Sequence, residues 1–302
     1  MNNVNGILPL WKPRGMTSHD CVAKARRLLH TKKIGHTGTL DPEVEGVLPL
    51  CIGRATKIVP YLTETKKTYE AEVTLGQSTE TEDSYGQVVE EVTIDSIPSR
   101  DQLLESLRTF TGHIEQVPPM YSAVKVKGRK LYEYARAGET VERPVRQASI
   151  YAIDLLSDPV RKSDGQITFS FRVICSKGTY IRTLCVAIGQ DIGFPAHMSD
   201  LVRTQTGNIA KEDCYHFDQL AEMIDNQSPS QFLLPLMRGI GHLDTWEVDA
   251  ATKEMVAHGR VLSAPDRPFR TEEFVICYRQ EAVAIYMPHP EKAGKIKPVR
   301  VF

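Results

Sequence analysis

One twelve-residue segment constrains the fold of this chain more than any other. Residues 35–46, GHTGTLDPEVEG, contain three glycines and a proline, a composition that predicts a loop rather than a helix or a strand. The apolar run VLPLCIG follows directly and is typical of a buried strand. A polar loop that carries His36, Asp41, Glu43 and Glu45 is therefore expected to lead straight into the core of the protein.

The segment before this loop predicts a strand followed by a helix. GILPLW at residues 6–11 has the length and apolarity of a short strand. Thr17 or Ser18 can cap the helix after it, and Asp20 suits the first helical turn. The apolar stripe expected for this helix consists of Val22, Ala25, Leu28 and Leu29.

The middle of the chain alternates between strand and helix patterns. Residues 68–75 and 167–173 place an apolar side chain at every second position, which indicates half-buried strands. Residues 101–110 have the spacing of an amphipathic helix, and CSKGT leads into another helix. The acidic stretch 79–86 predicts a loop. Residues 115–146 mix aromatic, basic, proline and glycine residues, and we expect an exposed, mostly extended insertion with a short helix near LYEYAR.

The C-terminal part of the chain differs in character. The polar segment 226–230 predicts a loop, and WEVDAATKEMVAHGR predicts a short helix closed by Gly259. Short strands with turn residues follow, which predicts a small β domain over residues 241–302. Together these patterns predict an α+β protein.

Cysteine spacing and hydropathy limit the possible cellular locations of the protein. The six cysteines are scattered and form no CxxC pair, so neither a zinc site nor a redox motif is indicated. The N-terminal segment lacks the charged start and long apolar stretch of a signal peptide. No apolar run approaches the roughly 20 residues of a membrane span. We therefore expect a cytoplasmic protein with no membrane association.

Charge is unevenly distributed although the formal net charge is only −1. Residues 1–70 hold eleven Lys or Arg against six Asp or Glu, and residues 125–146 hold seven against three. Residues 76–106 reverse this balance, with eight acids against one Arg. Such asymmetry is compatible with a basic face for a polyanion, but it is equally compatible with ordinary solvated surfaces.

Individual candidate residues leave several functions open. Asp41 with Glu43 or Glu45 could form the paired carboxylates of a glycosidase, whereas Asp before Pro is also a common turn. Arg182 in the first turn after CSKGT could hold an anion or simply be solvated. Tyr69 could be a core side chain or a stacking platform. Lys57 could contact phosphate or lie on a helix surface.

Aromatic and basic residues are interleaved in the insertion. This mixture suits contact with RNA, because phosphates attract cations and unpaired bases stack on aromatic rings. A solvated flexible loop would explain it as well. The residues concerned are Tyr121, Lys125, Lys127, Arg129, Lys130, Tyr132 and Tyr134.

Five segments in one order carry a resemblance to a known family. They are GILPLWKPRGMTSHD, KKIGHTGTLDPEVEGVLPLCIGRATK, KTYEAEVTLG, PPMYSAVKVKGRKLYEYAR and CSKGTYIRTL. Over about residues 6–210 the chain resembles the bacterial tRNA pseudouridine synthase B family. The tail resembles, more loosely, the PUA domain, a small RNA-binding β-barrel that follows in this family.

The resemblance implies a role for each matching residue. Asp41 matches the catalytic aspartate, and His36 matches the histidine that helps displace the target base. Tyr69 matches the tyrosine packed against the flipped uracil. The further matches are Tyr180 as a substrate contact, Arg182 as the arginine paired with the aspartate, Leu201 as a residue lining the base pocket, and Lys57 as a lysine near the site.

The resemblance also implies an architecture and a substrate. It implies a mixed, largely antiparallel central sheet with flanking helices in a catalytic domain (residues 1–240) and a PUA-like domain (residues 241–302). It implies isomerisation of uridine 55 in the T arm of tRNA, with no cofactor and no metal. No protein partner is expected, and we expect a monomer. The rival functions are a non-catalytic tRNA-binding or folding module, a carboxylate glycosidase, and a guide-RNA-dependent relative.

Overall fold

The computed structural model describes residues 4–226 and 229–302. The chain forms two compact units, one made of Met1–Glu64 with Thr206–Phe302 and the other of Thr65–Gln205. The polar segment predicted as a loop at 226–230 includes residues 227 and 228, which lie outside the described residues. The predicted domain boundary between residues 240 and 241 stays a prediction.

The strands in chain order are β1 (Gly6–Lys12), β2 (Ile34–His36), β3 (Glu45–Ile52), β4 (Lys67–Leu75), β5 (Gln77–Thr79), β6 (Val88–Glu91), β7 (Gly112–Gln116), β8 (Lys125–Val126), β9 (Arg129–Lys130), β10 (Arg146–Leu155), β11 (Val160–Arg161), β12 (Ile167–Cys175), β13 (Ala196–Thr206), β14 (Ile209–Ala210), β15 (Asp244–Glu247), β16 (Leu262–Ser263), β17 (Phe274–Tyr278), β18 (Glu281–Pro288) and β19 (Lys295–Val301). The α-helices are α1 (Ser18–Leu28), α2 (Val59–Glu64), α3 (Arg100–Thr109), α4 (Leu131–Arg136), α5 (Ile181–Ile192), α6 (Phe217–Asn226), α7 (Leu236–Ile240) and α8 (Ala250–Ala257).

The N-terminal part of the first unit is built on a buried strand pair. β1 pairs antiparallel with β3 from Gly6 opposite Ile52 to Lys12 opposite Gly46, and β2 also pairs antiparallel with β3. Helix α1 buries its apolar stripe in the same core, as its sequence period predicts. The core residues contributed by these elements are Leu8, Leu10, Cys21, Val22, Ala25, Ile34, Leu48, Leu50 and Ile52.

The C-terminal part of the first unit contains a second, five-stranded sheet. Its order is β15-β17-β18-β19-β16, with β15 parallel to β17 and the other pairs antiparallel. The sheet curls into a half-barrel around a core of its own. Gly259 follows α8 with a φ of 66°, a left-handed conformation that favours glycine at a helix end. The predicted short helix and small β region are confirmed.

The second unit is a sheet with helices packed on it. Its strand order is β13-β4-β12-β10-β7, and the pairs β4–β12, β10–β12 and β7–β10 are antiparallel. Helices α3 and α5 pack against it. The strands predicted at 68–75 and 167–173, the helix at 101–110 and the helix after CSKGT are confirmed. The insertion contains the expected short helix, α4, and a hairpin of β8 and β9.

Candidate active site

The loop between β2 and β3, residues 37–44, carries Asp41, and we call it the aspartate loop. Thr37 is fully buried, and its hydroxyl donates to the carbonyl of Pro49, 3.3 Å away. Gly38 has a φ of 141°, which a residue with a side chain rarely adopts. The loop therefore has a defined path that depends on this glycine.

The first residue of helix α1 holds the aspartate loop on one side of Asp41. The buried hydroxyl of Ser18 accepts from the amide of Leu40 at 2.9 Å and donates to the carbonyl of Leu40 at 3.3 Å. Thr17 caps the helix, and the Asp20 side chain completes a capping box with it. The helix start is thus fixed, and it fixes the residue before Asp41.

A buried ammonium holds the loop on the other side. Lys12, the last residue of β1, is completely buried, and its Nζ donates to the carbonyls of Pro13, Pro42 and Val44 at 3.0, 2.9 and 2.6 Å. A buried charge is tolerated only with such partners. Lys12 was not among the predicted site residues, since a lysine at a strand end is ordinarily exposed.

Asp41 lies between these two anchors. Its side chain is half-buried, and its main-chain carbonyl accepts from the amide of Val44 at 3.1 Å. Because Leu40 is bound to the helix start and Pro42 to Lys12, the backbone at Asp41 cannot shift without breaking one of these bonds. A carboxylate on a fixed, partly open backbone suits direct attack on a substrate.

His36 ends β2 at the entrance to the aspartate loop. Its half-buried ring meets the exposed ring of His19 edge to face, with 5.2 Å between ring centroids. The Nδ1 atom of His36 accepts from the amide of Gly38 at 3.4 Å. The predicted base-displacing histidine is therefore held next to the loop that carries Asp41.

Lys57 lies in a short 3-10 helix, Gly53–Ile58. Its ammonium donates to the carbonyl of Val301 in β19, and the nearby Tyr61 donates to Glu273. Burial and this hydrogen bond raise the pKa of Tyr61 above its usual range. Lys57 thus binds the C-terminal sheet of its own unit, and its predicted place near the reacting base stays a prediction.

Arg182 lies in the first turn of α5 and is only 6 % exposed. Its guanidinium donates to the carbonyls of Thr81 and Tyr121 at 2.9 and 2.8 Å. The carboxylate of Asp83 lies 3.7 Å from Nη1. The alternative of a solvated arginine is therefore wrong, and the role of Arg182 in holding an anion stays a prediction.

The acidic stretch at 79–86 contributes more than a loop. Thr183 in α5 donates to the carboxylate of Glu82 at 2.7 Å, and burial raises the pKa of Glu82. Asp83 also accepts from the Thr81 hydroxyl and the Tyr85 amide. The charge pattern of the stretch is visible in the sequence, but no local pattern there indicates that Asp83 meets an arginine of α5.

The other predicted residues of the second unit lie on its sheet and on α5. Tyr69 is half-buried in β4, opposite Val173, so part of its ring is accessible for stacking. Leu201 in β13 is 7 % exposed. Tyr180 is the N-cap residue of α5, two positions before Arg182. That these residues meet His36 and Asp41 in one site stays a prediction.

No metal site is evident in the described part of the chain. Among the described residues, no group of three or more His, Cys, Asp or Glu side chains could hold a metal ion. Within the same residues, no helix is long and apolar enough to cross a bilayer.

Burial raises the pKa of Cys51 to about 12, which keeps this thiol protonated and unreactive.

Comparison with known families identifies the class of protein. Residues 26–181 match the TruB family pseudouridylate synthase (N terminal domain), and residues 182–240 match the tRNA pseudouridylate synthase B C-terminal domain. The chain belongs to the TruB family of pseudouridylate synthases. The resemblance inferred from the five sequence segments is thereby confirmed.

Individual relatives and solved structures agree with this assignment. The tRNA pseudouridine synthase B of Oceanobacillus iheyensis is 53% identical over 99% of this chain and 98% of its own length. That of Listeria monocytogenes is 51% identical over 99% and 98%. The crystal structure of a Cbf5-Nop10-Gar1 complex matches 99% of this chain and 84% of its own chain, with 27% identity and a TM-score of 0.76. The predicted α+β fold class is confirmed.

Proposed function

We propose that this protein converts uridine 55 in the T arm of tRNA to pseudouridine, with Asp41 as the catalytic carboxylate. As a member of its family, the protein is a tRNA pseudouridine synthase, an isomerase. The observation that carries the assignment of Asp41 is the anchoring of its loop by Ser18 and Lys12 on either side. Such anchoring is what a group that must attack one atom of a bound nucleotide requires.

The reaction breaks the glycosidic bond between N1 and C1′, turns the uracil and joins its C5 to C1′. C5 loses its proton to solvent and N1 gains one. A carboxylate can act as the nucleophile and form a covalent intermediate at C1′ or C6. It can instead remove a 2′ proton and open a route through a glycal. In either route a cation beside the carboxylate stabilises its charged form, and we propose Arg182 for this role in the complex with RNA.

The target uridine is stacked in a folded arm, so it must leave the stack before it can react. Extrusion costs a few kcal/mol. Stacking of the uracil on Tyr69 and filling of the vacated space by His36 would offset this cost. Tyr180 and Leu201 complete the proposed base pocket. No step of the proposed reaction needs a metal or an organic cofactor.

The insertion (residues 115–146) and the basic N-terminal segment (residues 1–70) are proposed to bind the RNA. In the insertion the Arg129 guanidinium lies 4.3 Å from the ring centroid of Tyr134, and that of Arg136 lies 5.3 Å from Tyr132. Cations placed against aromatic rings suit both phosphates and unstacked bases. The C-terminal half-barrel is proposed as a further RNA-binding surface. We propose a cytoplasmic monomer that needs no protein partner.

Tritium release from C5-labelled uridine in an unmodified tRNA transcript tests the proposal. Wild type should release tritium from one uridine per tRNA, and transcripts with uridine 55 replaced should release none. Asp41→Asn should bind tRNA but release nothing. Glu43→Gln, two residues away in the same loop, is the matched control and should stay active.

The rival functions give different results in this experiment. A glycosidase that uses Asp41 with Glu43 would lose activity in both variants and would liberate free uracil. A non-catalytic tRNA-binding or folding module would bind tRNA tightly and release no tritium even as wild type. Either outcome would contradict the proposal that this protein isomerises uridine with Asp41.

A further inference from the structure

Gln116, the last residue of β7, makes a two-point contact with the backbone of Tyr180. Its Oε1 accepts from the amide of Tyr180 at 2.9 Å, and its Nε2 donates to the carbonyl of Tyr180 at 3.0 Å. Gln116 is only 5 % exposed, so its side-chain amide is largely withdrawn from water. One side-chain amide thus fixes both polar groups of a residue 64 positions away in the chain.

The contact falls where helix α5 most needs one. Tyr180 is the N-cap residue of α5, and its own side chain makes no capping hydrogen bond. The amide N–H groups at a helix start lack partners inside the helix and must find them elsewhere. The carbonyl of Tyr180 also accepts from the amide of Leu184, the first bond of the helix. Gln116 therefore supplies a partner to each main-chain polar group of the N-cap residue.

Gln116 can do this because its own position is fixed. β7 pairs with β10, with Gln116 opposite Arg146, and β10 continues the sheet to β12. The strand thus ties the side-chain amide to the sheet. A helix start held by a sheet residue cannot slide along its axis without breaking both bonds.

The same stretch of chain also holds Arg182. Five residues after Gln116, the carbonyl of Tyr121 accepts from Nη2 of Arg182 at 2.8 Å. The start of the insertion therefore contacts both residues of α5 that the proposed function places at the substrate. Gln116 itself has no role in the proposed chemistry.

We infer that Gln116 is a positioning residue for the reaction: it sets the start of α5 and thereby places Tyr180 and Arg182 against the uridine. This inference rests on the proposed function. It assigns Gln116 no contact with the substrate. Its replacement should therefore lower the rate of the chemical step more than it weakens tRNA binding.

The first test compares Gln116→Ala with Gln147→Ala under single-turnover conditions. Gln147 lies next to Arg146 in β10, is exposed, and its amide donates to the side chain of Glu115. Gln116→Ala should lower the rate constant of tritium release by about tenfold or more, because small displacements of reacting groups are costly. Its Kd for tRNA should change by less than about threefold, and Gln147→Ala should behave as wild type.

The second test uses Gln116→Glu and pH. A protonated carboxyl group can accept from the Tyr180 amide and donate to its carbonyl, as the Gln116 amide does, whereas a carboxylate can only accept and repels the carbonyl. Burial favours the neutral form. The single-turnover rate of this variant, divided by the wild-type rate at the same pH, should rise as pH falls from about 8.5 to 5.5. The division removes titrations common to both proteins.

The outcomes separate this inference from the proposed function. A Gln116→Ala enzyme with a wild-type single-turnover rate would overturn the positioning role. If Gln116→Ala does not fold, the pH series decides, and a rate ratio for Gln116→Glu that is independent of pH would also overturn it. Absence of tritium release from wild type would instead overturn the proposed function, before any variant is compared.

Discussion

The ammonium of Lys12 donates to the main-chain carbonyl of Val44 at 2.6 Å, across the loop that carries Asp41. A second bond reaches the carbonyl of Pro42, next to Asp41 itself. The proposed catalytic carboxylate is thus carried by a loop whose last residues, 42–44, are held by the buried Lys12 ammonium. We therefore expect the proposed reaction to depend on Lys12, a residue that need not touch RNA.

Replacement of Lys12 should separate loop anchoring from RNA binding. Lys12→Met keeps the length of the side chain but leaves buried carbonyls without their donor. We expect the free energy of unfolding to fall by about 1–3 kcal/mol and the single-turnover rate to fall by at least about tenfold. Chemical denaturation and tritium release measure the two effects. Lys162→Met, at an exposed lysine outside the segments proposed to bind RNA, is the control, and an equally active Lys12→Met enzyme would contradict the anchoring.

Asp83 should matter through its charge on Arg182. Asp83→Asn keeps an oxygen that can accept from Thr81 and Tyr85 but removes the negative charge 3.7 Å from the guanidinium. We expect the rate of tritium release to fall by about tenfold or more, with little change in the Kd for tRNA. Asp158→Asn, which removes a charge from an exposed ion pair with Arg100, is the control and should leave the rate of tritium release unchanged. Equal rates for the two variants would argue against a role of the buried pair.

Glu82 should make stability depend on pH. Burial raises its pKa in the folded protein, so the folded state binds the proton more tightly than the unfolded state. Stability therefore declines as pH rises through the window between the unfolded and folded pKa values. Glu82→Gln removes the cost of burying the Glu82 carboxylate in its charged form and keeps an oxygen that accepts from Thr183. The variant should unfold at a higher temperature than wild type at pH 7, and the difference should vanish below about pH 4.

Salt dependence should report the binding of phosphates by the insertion. Lys125 and Lys127 are exposed in the hairpin of β8 and β9 or its turn. Replacing each with Ala should weaken tRNA binding and reduce the slope of log Kd against log salt by about 0.7–0.9 for each phosphate that the variant no longer neutralises. Lys162→Ala, at an exposed lysine that pairs with Glu72, should leave the slope unchanged. An unchanged slope in the Lys125 and Lys127 variants would remove the insertion from the RNA interface.

Local signals predicted the elements around the site well. The helix cap at Thr17 and the alternation of apolar and polar side chains from 68 to 75 each involve only a few neighbouring residues. The start of α1 and the strand β4 could therefore be predicted from the sequence. The motif GHTGTLDP placed Asp41 in a loop for the same reason. The similarity of the five segments added the family, which no local pattern could supply.

The contacts that hold the site were not predictable in the same way. Lys12 is 32 positions from Val44, and Gln116 is 64 positions from Tyr180. Such pairs form only when strands and helices are already in register, and residue type alone argued for exposure of both side chains. Arg182 shows the same limit, because its burial depends on carbonyls from two distant loops.

The complete burial of Lys12 has a consequence for labelling chemistry. An amine-reactive reagent can modify this side chain only when the aspartate loop opens, whereas surface lysines react in the closed protein. The rate at which Lys12 is acylated, measured by mass spectrometry, would therefore report the opening of the loop in solution. A bound RNA that closes over Asp41 would slow the acylation of Lys12 by preventing this opening, and the protein would carry its own reporter of loop motion.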